Sequence, residues 1–152
     1  MRSVALAIAT CFGVGYVPVA PGTFGSLAGL ALWFVLPSSA FVQATAIFLI
    51  FAAGVWASSV AEHHFHATDP GPAVVDEVMG MLVTMFMIPA GWQPAVGGFV
   101  LFRLFDVVKP YPANRLEHLR GGVGIMADDF MAAVYANLAL KGMLALGRWV
   151  TG

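Results

Sequence analysis

Six of the eight acidic residues, Asp69, Asp76, Glu77, Asp106, Asp128 and Asp129, stand beside turns at the ends of apolar segments. Ionised carboxylates are costly near hydrocarbon, so a chain with so few charges needs a reason to keep these together at such places. A shared divalent cation is the simplest reason. A hard ion such as Mg²⁺ prefers carboxylate oxygen and water, and it commonly bridges protein to phosphate. The competing structural reading is that the acids favour helix N-termini and pair with Arg103, Lys109 or Arg115.

Spacing sharpens the first reading. Arg103, Asp106 and Lys109 follow one another at i, i+3 and i+6, which puts them on neighbouring positions of one helical face. Such a stripe offers a metal ligand flanked by two cations, and cations hold the non-bridging oxygens of a phosphate. Asp76 and Glu77 are adjacent and diverge by about 100° on a regular helix, so both reach one centre only near a helix start. Asp128-Asp129 follow Gly121-Gly122-Val123-Gly124, a flexible run whose amides could approach an anion. Pro21-Gly22-Thr23-Phe24-Gly25-Ser26 offers hydroxyls and amides at a helix start, where Thr23 and Ser26 would steady a phosphate or simply cap the helix. His63, His64 and His66 have no cysteine nearby and no His-Glu-x-x-His pattern, and read as a solvated interfacial cluster. Met79, Met81, Met85 and Met87 read as apolar packing.

The elements that must carry these residues are apolar. Of the 152 residues 60% are hydrophobic and 10% charged, and mean hydropathy is +0.86, against about 25% charged residues in soluble domains. No Asp, Glu, Lys or Arg occurs between Arg2 and Glu62, nor from Val78 to Phe102. A soluble helix needs a polar face that such stretches lack, so the bilayer is the favoured solvent. Length and turn signals give one domain, 1–152, of all-α class: a compact bundle of short and broken apolar helices embedded in a membrane. The expected segments are a short helix or loop over Val4 to Val17, a helix from Thr23 to Leu36 and a spanning segment from Ala40 to Ala57. A helix end and loop should follow at the histidines. Beyond them come apolar runs over Val78 to Ile88, Ala95 to Phe102 and Phe102 to Val108, a glycine hinge, and a last helix from about Met126 to Trp149. The N-terminus lacks a convincing cleavage site and is read as mature protein. Basic residues are too few for a nucleic-acid footprint, and the lone Cys11 forms no internal disulfide. Arg103, Lys109, Arg115 and Arg120 bias the stretch before the last helix toward the cytoplasm. If the turns at Ser38-Ser39 and Gly91-Trp92 lie at the far side or within the bilayer, every acidic cluster returns to one face. No feature specifies an oligomeric state.

Pro21-Gly22-Thr23-Phe24-Gly25-Ser26, Val75-Asp76-Glu77-Val78-Met79-Gly80, Phe102-Arg103 with Asp106 and Lys109-Pro110-Tyr111-Pro112, and Gly121 to Asp129, in that order, together resemble the bacterial phosphatidylglycerophosphatase A family. The resemblance runs roughly from Gly15 to Ala139, and Asp69 falls where the family usually has an acid before its Asp-Glu pair. It implies a Mg²⁺-dependent enzyme of the bacterial inner membrane that hydrolyses phosphatidylglycerophosphate to phosphatidylglycerol and phosphate. On that reading Asp76, Glu77, Asp106, Asp128 and Asp129 hold one or two Mg²⁺ ions that activate the attacking water. Arg103 and Lys109 balance the equatorial oxygens, while Thr23 and Ser26 steady the phosphate. The partners are then a phospholipid and the membrane. Two rivals use similar features. A small transporter or ion channel also carries intramembrane acids, though those here stand at segment ends. A CDP-alcohol phosphotransferase would show an Asp-Gly-x-x-Ala-Arg pattern, which is absent.

Overall fold

The computed structural model describes residues 1–116, 118, 119 and 121–151, the last four by backbone alone. Among them are seven helices and no strand: α1 (Arg2–Ala9), α2 (Pro21–Val35), α3 (Ala40–Phe65), α4 (Val75–Thr84), α5 (Trp92–Val108), α6 (Ala113–Leu116) and α7 (Gly122–Thr151), with a 3-10 turn at Val14–Tyr16. Helices α3 and α7 each supply 26 residues long and apolar enough to cross a bilayer. Their outward side chains, such as Phe41, Phe48 and Leu49 on α3 and Leu138, Met143 and Leu146 on α7, are exposed large hydrophobics. Water would penalise that surface and lipid does not, so the molecule is a membrane-embedded helical bundle.

Helix α4 lies at the centre, packed against α2, α3, α5 and α7. It has 10 residues, about 15 Å of rise, half the thickness of a hydrocarbon core. Every residue of it except Glu77 is buried. Met79, Met81 and Met85 are fully buried beside Phe102 and Met126, whereas Met87, expected to pack with them, is 51% exposed in the turn that follows. Contact between α2 and α4 depends on Gly29, where a Cβ would stand 2.6 Å from the Val78 carbonyl oxygen.

A helix that stops inside the molecule exposes carbonyls that water cannot reach, and they must be satisfied by side chains. Asn137 of α7 does this. Its Nδ2 donates to the carbonyl oxygens of Thr84 at 2.8 Å and Phe86 at 3.0 Å. Gln43 of α3 completes the turn, its Oε1 accepting from the Met87 amide at 3.1 Å.

Helix α3 carries the spanning stretch past Ala57 and ends, as expected, at the histidines, where His66 turns into the left-handed region at φ 53°. Two other boundaries differ from the sequence reading. The two runs meeting at Phe102 are one helix, α5, which stops at Lys109 (φ 44°) ahead of Pro110. The glycine run is no hinge beyond Gly121 (φ 70°): Gly122 already opens α7, since a Cβ there would meet the Val55 carbonyl oxygen of α3 at 2.0 Å. Arg120, counted among the basic residues of that stretch, lies outside the described residues.

Candidate functional site

Three helices deliver the acidic residues to one place. Asp76 and Glu77 occupy the first turn of α4, where acids favour the positive end of the helix dipole. Asp129, seven residues into α7, meets them: one carboxylate oxygen from each of Asp76, Glu77 and Asp129 lies within 4.8 Å of the others. Asp106 of α5 stands within hydrogen-bonding reach of Asp129. Arg103, one turn before Asp106, places a guanidinium nitrogen 2.8 Å from Asp106 Oδ2 and 4.0 Å from Glu77 Oε1. Lys109 Nζ donates to Asp128 Oδ2 at 2.5 Å.

The first turn of α2 closes the group. A Cβ on Gly22 would fall 2.2 Å from Glu77 Oε1 and 3.2 Å from the Arg103 guanidinium. Only glycine lets this backbone approach so near. Neither Thr23 nor Ser26 caps α2, whose N-cap residue is Ala20. Ser26 is fully buried and its hydroxyl donates to the Gly22 carbonyl oxygen at 2.8 Å, bracing the turn that touches Glu77. Thr23 is half-buried in that same turn.

The electrostatics suit a cation. Asp76, Asp128 and Asp129 are all at most 5% exposed. Asp76 Oδ1, Glu77 Oε2, Asp128 Oδ1 and Asp129 Oδ2 are buried with no hydrogen-bond partner among the described residues. Burial above all, with the nearby Asp129 and Asp106, pushes the Glu77 carboxyl up to about 8 against the opposing hydrogen bond from Asp76 and the charge of Arg103. Burial, then the adjacent Glu77, raises Asp76 well above the carboxylate range. Buried like charges at this density are unstable unless protonated or bridged by a positive ion. The donor set is all oxygen, the choice of hard divalent cations, and its unsatisfied lone pairs point to ligation. The residues therefore fit a metal ion.

Two further residues border the group: Asp69, which the sequence counted among the clustered acids, and His118, to which it gave no role. Asp69, in the left-handed region at φ 51°, lies near enough to act on Asp76 and Asp128. His118 lines, with Asp69, Lys109 and Asp128, a cleft of about 210 Å³. The acid's alignment with the family motif was a signal for Asp69. A lone histidine in the connection between α6 and α7 gave none for His118.

No solved structure matches this chain. A protein of Bacteroides thetaiotaomicron, provisionally named a phosphatidylinositol-3-phosphatase, is 39% identical over 95% of this chain and 94% of its own length. A Haemophilus influenzae protein named phosphatidylglycerophosphatase A is 40% identical over 94% of this chain and 88% of its own. An Escherichia coli protein of that same name is 35% identical over 84% and 76%. The family model described as phosphatidylglycerophosphatase A matches residues 7–144, a span that contains every acidic residue of the cluster, and the chain belongs to that family.

Proposed function

We propose that this chain, as a single domain, hydrolyses the terminal phosphomonoester of phosphatidylglycerophosphate to phosphatidylglycerol and phosphate, at the cytoplasmic face of a bacterial inner membrane. One observation supports this above the others. A chain with few charges buries Asp76, Glu77 and Asp129 against one another with oxygens left unsatisfied, and sets Arg103 beside Glu77 and Lys109 on the neighbouring Asp128.

Asp76, Glu77 and Asp129 would hold Mg²⁺, with Asp106 and Asp128 beside them. When bound, Mg²⁺ supplies Lewis acidity toward a phosphoryl oxygen and lowers the pKa of water. The chain's own groups do the rest. Arg103 fixes Asp106 and leans on Glu77, and its five fixed donors suffice to hold a non-bridging phosphate oxygen as well. Lys109 balances Asp128 and adds positive charge where negative charge grows in the transition state. Thr23 presents its hydroxyl to the anion, and among the first-turn amides that of Gly22 does the same, since Thr23 and Phe24 donate theirs to the Ala20 carbonyl. Ser26, whose hydrogen goes to Gly22, holds that turn in place. Burial among α2, α4, α5 and α7 keeps bulk water from screening these charges.

Purified protein in detergent, given phosphatidylglycerophosphate with Mg²⁺ or with a chelator, should release phosphate only with the metal. No release above a buffer blank would overturn the proposal. Release from phosphatidylinositol 3-phosphate in its place would move the substrate to the activity in the Bacteroides relative's name.

A further inference from the structure

Helix α7 carries Asp128 and Asp129, and α3 packs along it. We propose that Ser59 of α3 is a positioning residue for Asp129: its hydroxyl seats the first residue of α7 and so fixes where that carboxylate stands relative to Asp76 and Glu77. The inference rests on the reading that these three carboxylates hold Mg²⁺.

The seat is built from backbone and one hydroxyl. The first amides of a helix have no partner within it. That of Gly122 donates to Ser59 Oγ at 2.9 Å, across 63 positions of sequence. The same hydroxyl donates to the Val55 carbonyl oxygen at 2.8 Å, so its hydrogen is committed and its oxygen is left to accept the amide. Gly122 enters this notch because it has no Cβ: one would stand 2.0 Å from the Val55 oxygen and 2.9 Å from the Ser59 nitrogen.

Beyond the seat, α7 lies on α3 through apolar contacts. A Cβ on Gly54 would stand 2.6 Å from the Met126 sulfur, and the rings of Phe51 and Phe130 meet edge-on at 6.0 Å. Gly122, Met126 and Phe130 recur every fourth residue and share one face of α7, while Asp129 reaches across to α4. Apolar contacts resist separation but are non-directional, and methionine repacks readily, so they hold α7 against α3 without fixing its height. A hydrogen bond fixes both distance and direction. Asp129 stands seven residues beyond Gly122 in unbroken helix, which transmits the seat to the carboxylate. A slip of one residue would move it about 1.5 Å along the axis. Mg²⁺ holds its oxygens at about 2.0–2.1 Å in near-ideal octahedral geometry, so a slip of that size matters to binding.

Thermal unfolding of the purified protein in detergent, titrated with Mg²⁺, reads metal binding without turnover. Ser59→Ala should raise the Mg²⁺ concentration needed for a given rise in midpoint roughly three- to tenfold, the scale of one hydrogen bond. Ser59→Thr keeps the hydroxyl and should restore the wild-type requirement. Phosphate release at saturating Mg²⁺ should stay near wild type in both, because the bound ion then draws the carboxylates together. Two controls isolate the effect from stability and from the loss of any hydroxyl. Asn137→Leu removes donors at the far end of α4 and should lower the midpoint without changing the Mg²⁺ requirement. Ser58→Ala deletes a buried hydroxyl with no hydrogen-bond partner among the described residues and should leave the requirement unchanged. A wild-type requirement in Ser59→Ala, however low its midpoint, overturns the proposal, as does equal weakening in the alanine and threonine variants. Should Ser59→Ala not fold, Ser59→Cys, which offers only a weak acceptor, decides in its place. The unsubstituted protein separates the two readings: no rise in its midpoint with Mg²⁺ overturns the metal reading and this one with it, whereas a rise matched by Ser59→Ala overturns this one alone.

Discussion

Lys109 Nζ donates to Asp128 Oδ2 at 2.5 Å, joining the left-handed end of α5 to the second turn of α7. Asp128 is nearly buried while the lysine side chain is 26% exposed, so the lysine neutralises an acid that water cannot reach. Lys109→Met should therefore lower stability by about 1–3 kcal/mol, below the full cost of stripping a deeply buried pair because the cation is partly screened. Denaturant unfolding in detergent measures the first effect. Phosphate release at saturating Mg²⁺ should fall by at least tenfold, and turnover equal to wild type would remove Lys109 from the site.

Asp106→Asn keeps shape and removes charge. Arg103 would keep an acceptor at 2.8 Å, so the fold should hold, while the carboxylate beside Asp129 is lost. Turnover should drop by roughly 10²–10³, the scale of losing one electrostatic partner of the transition state. Circular dichroism and elution volume check the fold. Activity within a factor of two of wild type would show that Asp106 is not part of the centre.

Two glycine substitutions should separate site from scaffold. In Gly22→Ala the new methyl meets the tip of Glu77, a side chain that can swing aside, so stability should change little and Mg²⁺-dependent turnover should fall. In Gly122→Ala the methyl meets the backbone of Val55 at 2.0 Å, which cannot yield without parting α3 from α7. That variant should lose about 1–3 kcal/mol as an overpacked contact. Paired thermal midpoints and turnover numbers decide; the reverse pattern would mean that the α2 turn does not border the active carboxylates.

Much of this arrangement was legible in the residues. Arg103 and Asp106 needed only helical spacing, whereas Lys109 falls just past the end of α5 in the left-handed region, and Asp76 with Glu77 needed only a helix start. What failed to show was anything set by backbone approach between distant segments. That Gly22 touches Glu77, or that Gly122 continues a helix, depends on what lies opposite, and a glycine reads alike in a hinge and at a close contact.

Asn137 gives a stability effect distant from the chemistry. It stands eight residues beyond Asp129 on α7, about 12 Å along the axis. Asn137→Leu would strip the carbonyls of Thr84 and Phe86 of their donor in an apolar setting, for a loss of about 1–2 kcal/mol. Turnover per folded molecule should stay near wild type. Unfolding curves together with activity normalised to folded protein test this, and an unchanged midpoint would mean that other donors satisfy the end of α4.

Metal and pH should act on stability in opposite senses. Glu77 titrates at about 8 in the folded protein against 4.5 unperturbed, because burial disfavours its charge. Between those values the folded, metal-free protein holds a proton that the unfolded chain has released, so its stability falls as pH rises across the window. Asp76, also raised, adds to the slope in the same direction. A divalent ion needs these carboxylates deprotonated and binds the folded state alone, so its stabilisation grows as pH rises. Thermal midpoints in detergent, taken from about pH 5 to about pH 8, should decline with a chelator present and decline less, or rise, with Mg²⁺. Parallel curves would mean that the ion does not bind at Asp76, Glu77 and Asp129.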